Sequence, residues 1–199
     1  MNELVDREPG SYVQPDTGRI CRYPRHNSRT YPTAESPADE LVARDIRASA
    51  SSLSGVARLE RVISVPPALR NEYSDERWLQ SRLVSTKGLA AHTVLAALRS
   101  SRAALLEHLL GTTAAAAELG LEGRFKPSDT GNVIGRLEDL ASQGPPNVEL
   151  GCPLRDWLAD RGTWADECRA EAGRYQQILA SARQLSPARE EAKTACWPG

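Results

Sequence analysis

The sequence is poor in aromatic residues, lysine and histidine. Only 5% of its 199 residues are aromatic, and it contains a single Phe, a single Met and 3 His. Lysine supplies 3 of the 25 basic residues and arginine the other 22. A core must therefore rest on Leu, Val, Ile and Ala. The excess of arginine over lysine indicates a GC-rich genome rather than a function.

Long apolar runs and a secretory signal are also missing. No segment approaches the roughly 20 apolar residues that a membrane-spanning helix needs. The opening residues MNELVDREPG are polar and acidic, without the basic and apolar regions of a signal peptide. We therefore expect a cytoplasmic location and no membrane partner. In that compartment, the four cysteines would remain free thiols: Cys21, Cys152, Cys168 and Cys196.

Motifs for metal binding, phosphate binding and nucleophilic catalysis are absent. There is no CxxC pair, and Cys21 with His26 supplies only two of the four ligands of a structural zinc site. Neither GxGxxG, nor a P-loop, nor a nucleophile elbow occurs. We therefore expect no metal, no cofactor and no catalytic residues. An enzyme whose site assembles only in three dimensions stays open, although we interpret His92 as a histidine in or beside the core.

The chain divides into three parts by composition. Residues 1–35 contain four prolines and no periodic apolar pattern, which indicates an irregular arm that is disordered unless something docks it. Residues 36–186 show helical periodicity throughout, and 187–199 read as a short terminal helix or tail. The predicted fold is all-α: an irregular N-terminal arm followed by a compact multi-helix bundle of about six to eight helices.

Local signals place the first helices. Ser36, Pro37 and Asp39 form a capping pattern for a helix of about six turns that ends at the Pro66-Pro67 pair. A shorter helix follows Ser74, and we expect Gly88 to separate it from a long third helix. The segment ERVISVPP is the best strand candidate, confined by its prolines to a sheet edge.

The C-terminal half offers further helices. TTAAAAELG, capped by Thr112 or Thr113, and SDTGNVIGRLEDLASQG are helical segments, and PLRDWLADRG is a helix of two turns. Thr163 caps a strong helix in which apolar residues recur at helical spacing. Its predicted stripe consists of Trp164, Cys168, Tyr175, Ile178, Ala182 and Leu185.

The arm carries the first candidate contact residues. The segment GRICRYPRHNSRTYP, residues 18–32, holds four arginines and two tyrosines and no acid, although residues 1–37 balance to zero charge. Arginine and tyrosine are enriched at interface anchors and also suit phosphates and unpaired bases. The candidates are Arg19, Arg22, Tyr23, Arg25, Arg29 and Tyr31.

A second candidate lies at residues 102–144. RAALLEHLLGTTAAAAELGL followed by TGNVIGRLEDLASQG resembles the core of a winged helix-turn-helix, although the linking segment EGRFKPSD is longer than the usual turn. The resemblance implies DNA binding, with Asn132 and Arg136 offered to base edges, Arg124 and Lys126 to phosphates, and PPNVEL as the wing. The acidic Glu138 and Asp139 would repel the DNA phosphates. We therefore favour the interpretation that this segment consists of two ordinary helices of a bundle.

Together these features favour a non-enzymatic, α-helical protein-interaction module, of adaptor or regulatory type, that uses its Arg/Tyr-rich N-terminal arm. The expected partner is another protein, and a homo-oligomer is open. The alternative is a DNA-binding regulatory protein with a degenerate winged helix-turn-helix-like segment at 102–144.

Overall fold

The described part of the chain contains seven α-helices. The structure is a computed structural model and describes residues 11–14, 16–22, 36–121, 123, 126 and 131–187. The helices in these residues are α1 Pro37–Ser51, α2 Asp75–Ser100, α3 Arg102–Leu110, α4 Thr112–Glu118, α5 Val133–Gln143, α6 Asp156–Ala159 and α7 Arg161–Ala182. The predicted all-α class and multi-helix bundle are confirmed.

The strands of the described residues are short and form two separate two-stranded sheets. β1 Ser11–Val13 pairs with β2 Ile20–Arg22 in antiparallel orientation, and β3 Val62–Ile63 pairs with β4 Asn147–Val148 in parallel. The strand predicted in ERVISVPP is therefore present as β3. The β1–β2 hairpin differs from the irregular conformation that we expected for this part of the arm.

Helix α7 is the centre of the bundle, and α1, α3, α5 and α6 all pack against it. The predicted apolar stripe of this helix is its buried face, since Trp164, Cys168, Tyr175 and Ile178 are each at most 1% exposed. Burial raises the pKa of the Cys168 thiol to about 12, which keeps the thiol protonated.

The long first helix that we predicted is wrong in its C-terminal half. The capping box is present, with the Ser36 hydroxyl accepting from the Asp39 amide at 3.1 Å, but α1 ends at Ser51. Gly55 then adopts a φ of 83°, which a right-handed helix cannot accommodate. An ideal Cβ at this position would lie 2.4 Å from the carbonyl carbon of Thr86 in α2. The chain turns here so that it can lie directly against α2.

The break expected at Gly88 is also wrong, because α2 runs without interruption through this position. Gly88 is exposed, and its neighbours Ala90 and Val94 are buried. Their burial outweighs the roughly 1 kcal/mol that glycine costs inside a helix. His92 is exposed rather than beside the core, because it lies two residues, about 200°, around the helix from Ala90.

Three further helix starts and lengths differ from the sequence predictions. Gly111 precedes α4, and neither Thr112 nor its neighbour caps that helix. α7 begins two residues before Thr163, whose amide donates to Oδ1 of the N-cap residue Asp160 at 2.9 Å. α6 is a single turn rather than two. The predicted terminal helix lies outside the described residues except for Pro187.

Asp39 joins the two ends of the helical body. Its carboxylate accepts from the amide of Ser186 at 2.9 Å and the Ser186 hydroxyl at 2.7 Å, and from the Ser36 hydroxyl at 3.0 Å. These donors, those of Ser186 above all, lower the pKa of Asp39 to about 2. We call Ser36, Asp39 and Ser186 the Asp39 clasp.

Among the residues that the structure describes, no helix combines the length and the apolar character that crossing a bilayer requires.

Candidate functional site

A groove of about 780 Å³ runs along the N-terminal half of α2. Leu79 and Leu83 are buried at its base, whereas the side chain of Val84 is 60% exposed. A concave surface of this volume can receive a ligand or a partner side chain, and its lining mixes apolar residues with polar and charged ones. We call this feature the α2 groove. Its lining residues are Ser74, Glu76, Arg77, Leu79, Gln80, Ser81, Leu83, Val84, Ser85, Pro153 and Arg155.

The opposite wall of the α2 groove comes from the segment before α6, and polar contacts hold it in place. The Gly151 amide donates to Oδ2 of Asp75 at 2.6 Å, at the first residue of α2. Farther along, Nη2 of Arg155 donates to Oε1 of Gln80 at 3.4 Å. These two contacts fix Pro153 and Arg155 opposite α2, so the groove is a built feature of the fold.

Aromatic and arginine side chains cluster where α2 begins. The rings of Tyr73 and Trp78 meet edge to face, with their centroids 5.4 Å apart. The guanidinium of Arg77 lies 5.3 Å from the centre of the Tyr73 ring, and that of Arg82 lies 5.8 Å from the Trp78 ring. Glu60 pairs with Arg82 and holds it there. Tyrosine, tryptophan and arginine are the residues that most often dominate binding energy at protein interfaces.

The charge along α2 has one sign after its first turn. After Glu76, the rest of α2, residues 77–100, holds four basic residues and no acidic residue. The charged residues among the described lining of the α2 groove are two arginines and one glutamate. Its rim therefore complements a ligand that carries negative charge beside apolar groups.

A second, smaller groove of about 360 Å³ lies between α3 and α4. Small residues such as Ala104 and Ala115 line it, and Leu121 at its edge is 53% exposed. The predicted contact residue Lys126 also lines this groove and is exposed. This places a cation at the rim of a shallow apolar surface within the helix-turn-helix-like segment.

Glu171 is a fully buried carboxyl on α7. Its oxygens accept from the backbone amides of Gly55 at 3.2 Å and Val56 at 2.9 Å, and from the hydroxyl of Ser54. Burial raises the pKa of Glu171, and hydrogen bonds from Ser54 and Val56 oppose the rise. The carboxyl therefore ties the turn after α1 to the central helix.

The predicted contact residues of the arm fall partly within the structure. Arg19 is exposed beside the hairpin turn, and its carbonyl accepts from the Gln14 amide at 2.9 Å. Arg22 pairs with Ser11 across the hairpin. The other four, together with the loop residue of the helix-turn-helix-like segment, lie outside the described residues: Tyr23, Arg25, Arg29, Tyr31 and Arg124.

The structure places Asn132 and Arg136 on the exposed side of the start of α5. Asn132 is the N-cap of this helix, in the left-handed conformation with a φ of 58°, and its Oδ1 accepts from the Gly135 amide at 3.2 Å. The segment proposed as the wing supplies β4, which pairs with β3 in parallel and so forms no hairpin. The roles of Asn132 and Arg136 in binding DNA remain predictions.

Sequence reasoning overlooked the α2 groove and the buried Glu171. The groove combines residues about 75 positions apart, such as Gln80 and Arg155, and no local pattern links them. Glu171 did leave a signal, because it lies three residues after Cys168 and four before Tyr175, on the apolar stripe of α7. A glutamate at such a position indicates a buried, hydrogen-bonded carboxyl.

No protein-family model, curated protein or solved structure matches this chain.

Proposed function

We propose that this protein is an α-helical protein-interaction module and that the α2 groove receives a segment of its partner. The observation that carries the proposal is the exposure of Val84, which is 60% accessible and lines the same groove as the buried Leu79 and Leu83. An exposed apolar side chain in a groove is available for burial by a partner. A fully buried valine contributes about 1.5 to 3 kcal/mol.

The chemistry of the groove selects the partner. Arg77 and Arg155 line the groove, and Glu76 is the only acidic residue among its described lining residues. A partner segment with an apolar side chain and a flanking acidic residue would satisfy both features. The aromatic and arginine cluster around Tyr73 and Trp78 extends the same surface with residue types that act as interface anchors. The proposed partner is therefore another protein that presents an apolar and acidic segment.

Replacing Val84 with aspartate tests the groove. We expect capture of a partner protein to fall at least about tenfold, because the variant loses apolar burial and places a charge in the contact. The control is Val62→Asp, a matched change at a valine that is 48% exposed in β3. Each variant is immobilised, exposed to nuclease-treated extract at moderate salt, and scored by quantitative mass spectrometry.

Equal capture by the wild type and Val84→Asp would contradict the proposal, as would equal losses with both substitutions. Self-association that only Val84→Asp abolishes would also overturn it, because the occupant would then be a second copy of this chain.

Deleting residues 1–35 tests the contribution of the arm. The shortened chain begins at Ser36 and so keeps the capping box of α1. We expect the melting temperature and the helical circular dichroism signal to stay nearly unchanged, whereas capture of the partner is lost. Loss of cooperative unfolding would instead make the arm part of the fold and refute its proposed role.

The alternative function is DNA binding through the helix-turn-helix-like segment. The exposed Arg136 and Lys126 favour it, whereas the exposed Glu138 and Asp139 follow within one turn of Arg136 and would repel phosphate. Binding to random duplex DNA at about 50 mM salt distinguishes the two functions, because electrostatic attachment is strong there. Retention of DNA by the wild type but not by Arg136→Glu would favour the alternative.

A further inference from the structure

The turn after α1 meets α7 at a cluster of four side chains: Ser54, Glu167, Glu171 and Arg174. The Ser54 hydroxyl oxygen lies 2.7 Å from Oε1 of Glu167 and also forms a hydrogen bond with Oε2 of Glu171. Nη1 of Arg174 lies 3.3 Å from the same hydroxyl oxygen and 3.5 Å from Oε1 of Glu167. One hydroxyl therefore bridges two carboxyl groups. We call these residues the Ser54 cluster.

The number of protons available in the Ser54 cluster is too small if both glutamates are ionised. A serine hydroxyl has one proton to donate, and an ionised carboxylate can only accept. The guanidinium of Arg174 can donate a hydrogen bond to the Ser54 hydroxyl oxygen. It cannot place a proton between that oxygen and a carboxylate. Ser54 can donate to Glu167 or to Glu171, but not to both. The remaining oxygen–oxygen contact requires a second proton.

The surroundings of Glu171 hold its carboxyl against Ser54. Both oxygens of Glu171 already accept backbone donors, one from Gly55 and one from Val56. The carboxyl is held in place and cannot turn away from Ser54 without giving up one of these bonds. A second proton on one of the two carboxyl groups satisfies all the contacts at once, since the protonated group donates to Ser54 and Ser54 donates to the other.

We propose that Glu167 and Glu171 share one proton through the hydroxyl of Ser54 at pH values where exposed glutamates are ionised, and that this proton makes the attachment of the turn to α7 sensitive to pH. The proton is taken from solvent on folding and returned to it when the pair ionises fully.

The charges facing the pair are consistent with this proton. Burial, opposed by Ser54, Val56 and Arg174, raises the pKa of Glu171, and the negative charge of Glu167 raises it further. The residues after Gly55 contribute Arg58, and α2 contributes the backbone of Thr86 and Lys87. From α3, the ring of His108 meets that of Tyr175 edge to face, with centroids 6.0 Å apart. On α7, burial raises the pKa values of Cys168 and Tyr175, so both stay neutral beside the pair.

The sign of the pH dependence follows from proton binding. The folded protein holds a proton that the unfolded chain releases above the ordinary glutamate value of 4.5. The contribution of this proton to the free energy of unfolding is therefore fully present below that pH. It is lost as pH rises through the folded pKa of the pair. For one proton, the unfolding equilibrium constant rises by up to about tenfold per pH unit in this window. Asp39, with its pKa of about 2, titrates below the window.

Glu167→Gln tests the shared proton. Its carboxamide can donate to Ser54 in place of the protonated carboxyl, so we expect the variant to fold and to lose the wild-type pH dependence above pH 4.5. The control is Asp166→Asn, which removes a neighbouring acid whose side chain is 76% exposed and should keep that dependence. Urea unfolding between about pH 4.5 and 9 gives the slope for each protein.

Carbon-13 NMR of the glutamate side-chain carboxyl groups provides a second measurement, and its wild-type result does not depend on whether the variant folds. In the wild type and Asp166→Asn, we expect one carboxyl signal to titrate well above the others, and this titration should be missing in Glu167→Gln. The proposal is overturned if every wild-type glutamate titrates in the ordinary range. It is also overturned if Glu167→Gln changes stability equally at every pH, because that result describes a structural contact alone.

Discussion

Replacing Gly55 with alanine is expected to lower the free energy of unfolding by about 3 to 4 kcal/mol. Two causes add. The residue has a φ of 83°, which costs an L-amino acid about 1 to 2 kcal/mol. The added Cβ would also lie 2.4 Å from the carbonyl carbon of Thr86 and 2.5 Å from the amide nitrogen of Lys87, and these backbone atoms can move only if α2 moves. Chemical denaturation followed by circular dichroism measures the loss.

The matched control for this substitution is Gly120→Ala. Gly120 also has a positive φ, of 65°, but its added Cβ would meet nothing within 4 Å. The free energy of unfolding of Gly120→Ala should therefore fall by only about 1 kcal/mol, the cost of placing an L-residue at a positive φ. Equal losses at the two positions would show that the close approach of the turn to α2 does not constrain the protein.

Replacing Trp164 with alanine should cost about 4 kcal/mol, the second large effect that we expect. Trp164 is 1% exposed on the central helix, and its ring stacks on that of Trp157 at 6.0 Å between centroids. Its indole N–H donates to the carbonyl of Leu140 in α5 at 2.8 Å. The alanine variant leaves a cavity between three helices, so thermal and urea unfolding should both shift strongly.

Trp164→Phe separates packing from hydrogen bonding. Phenylalanine fills most of the space, and the Leu140 carbonyl keeps a donor in the Gly144 amide at 3.2 Å. A loss of only about 1 kcal/mol is expected. A phenylalanine variant as unstable as the alanine variant would contradict the assignment of most of the effect to packing.

The sequence predicted the helical class because its signals are local. The Ser36 capping box and the apolar stripe of α7 act over three or four residues, so they can be read without knowing the fold. The end of α1 could not be read in this way. Apolar periodicity continues through Val56 to Ile63, but these two buried residues lie in a turn and a strand rather than in a helix. Contacts with α2 and Glu171 determine the conformation of that turn.

The candidate sites show the same division between local and distant information. The arginines of the arm are visible in composition alone, but composition does not say what they touch. The α2 groove depends on the approach of Arg155 to Gln80, and the Ser54 cluster depends on a contact between residues 54 and 171. Long-range juxtapositions of this kind carry no periodic signal. Only the placement of Glu171 on an apolar stripe could have pointed to one of them.

The Asp39 clasp has a consequence for how the flanking segments act. Because Ser36 and Ser186 bond to the same carboxylate, the chain enters and leaves the helical body at one corner. The two points at which the flanking segments join the helical body, at Ser36 and Ser186, therefore lie close together. A ligand that touches both segments would meet the second at a high effective concentration once it has bound the first, so two weak contacts can add up to strong attachment.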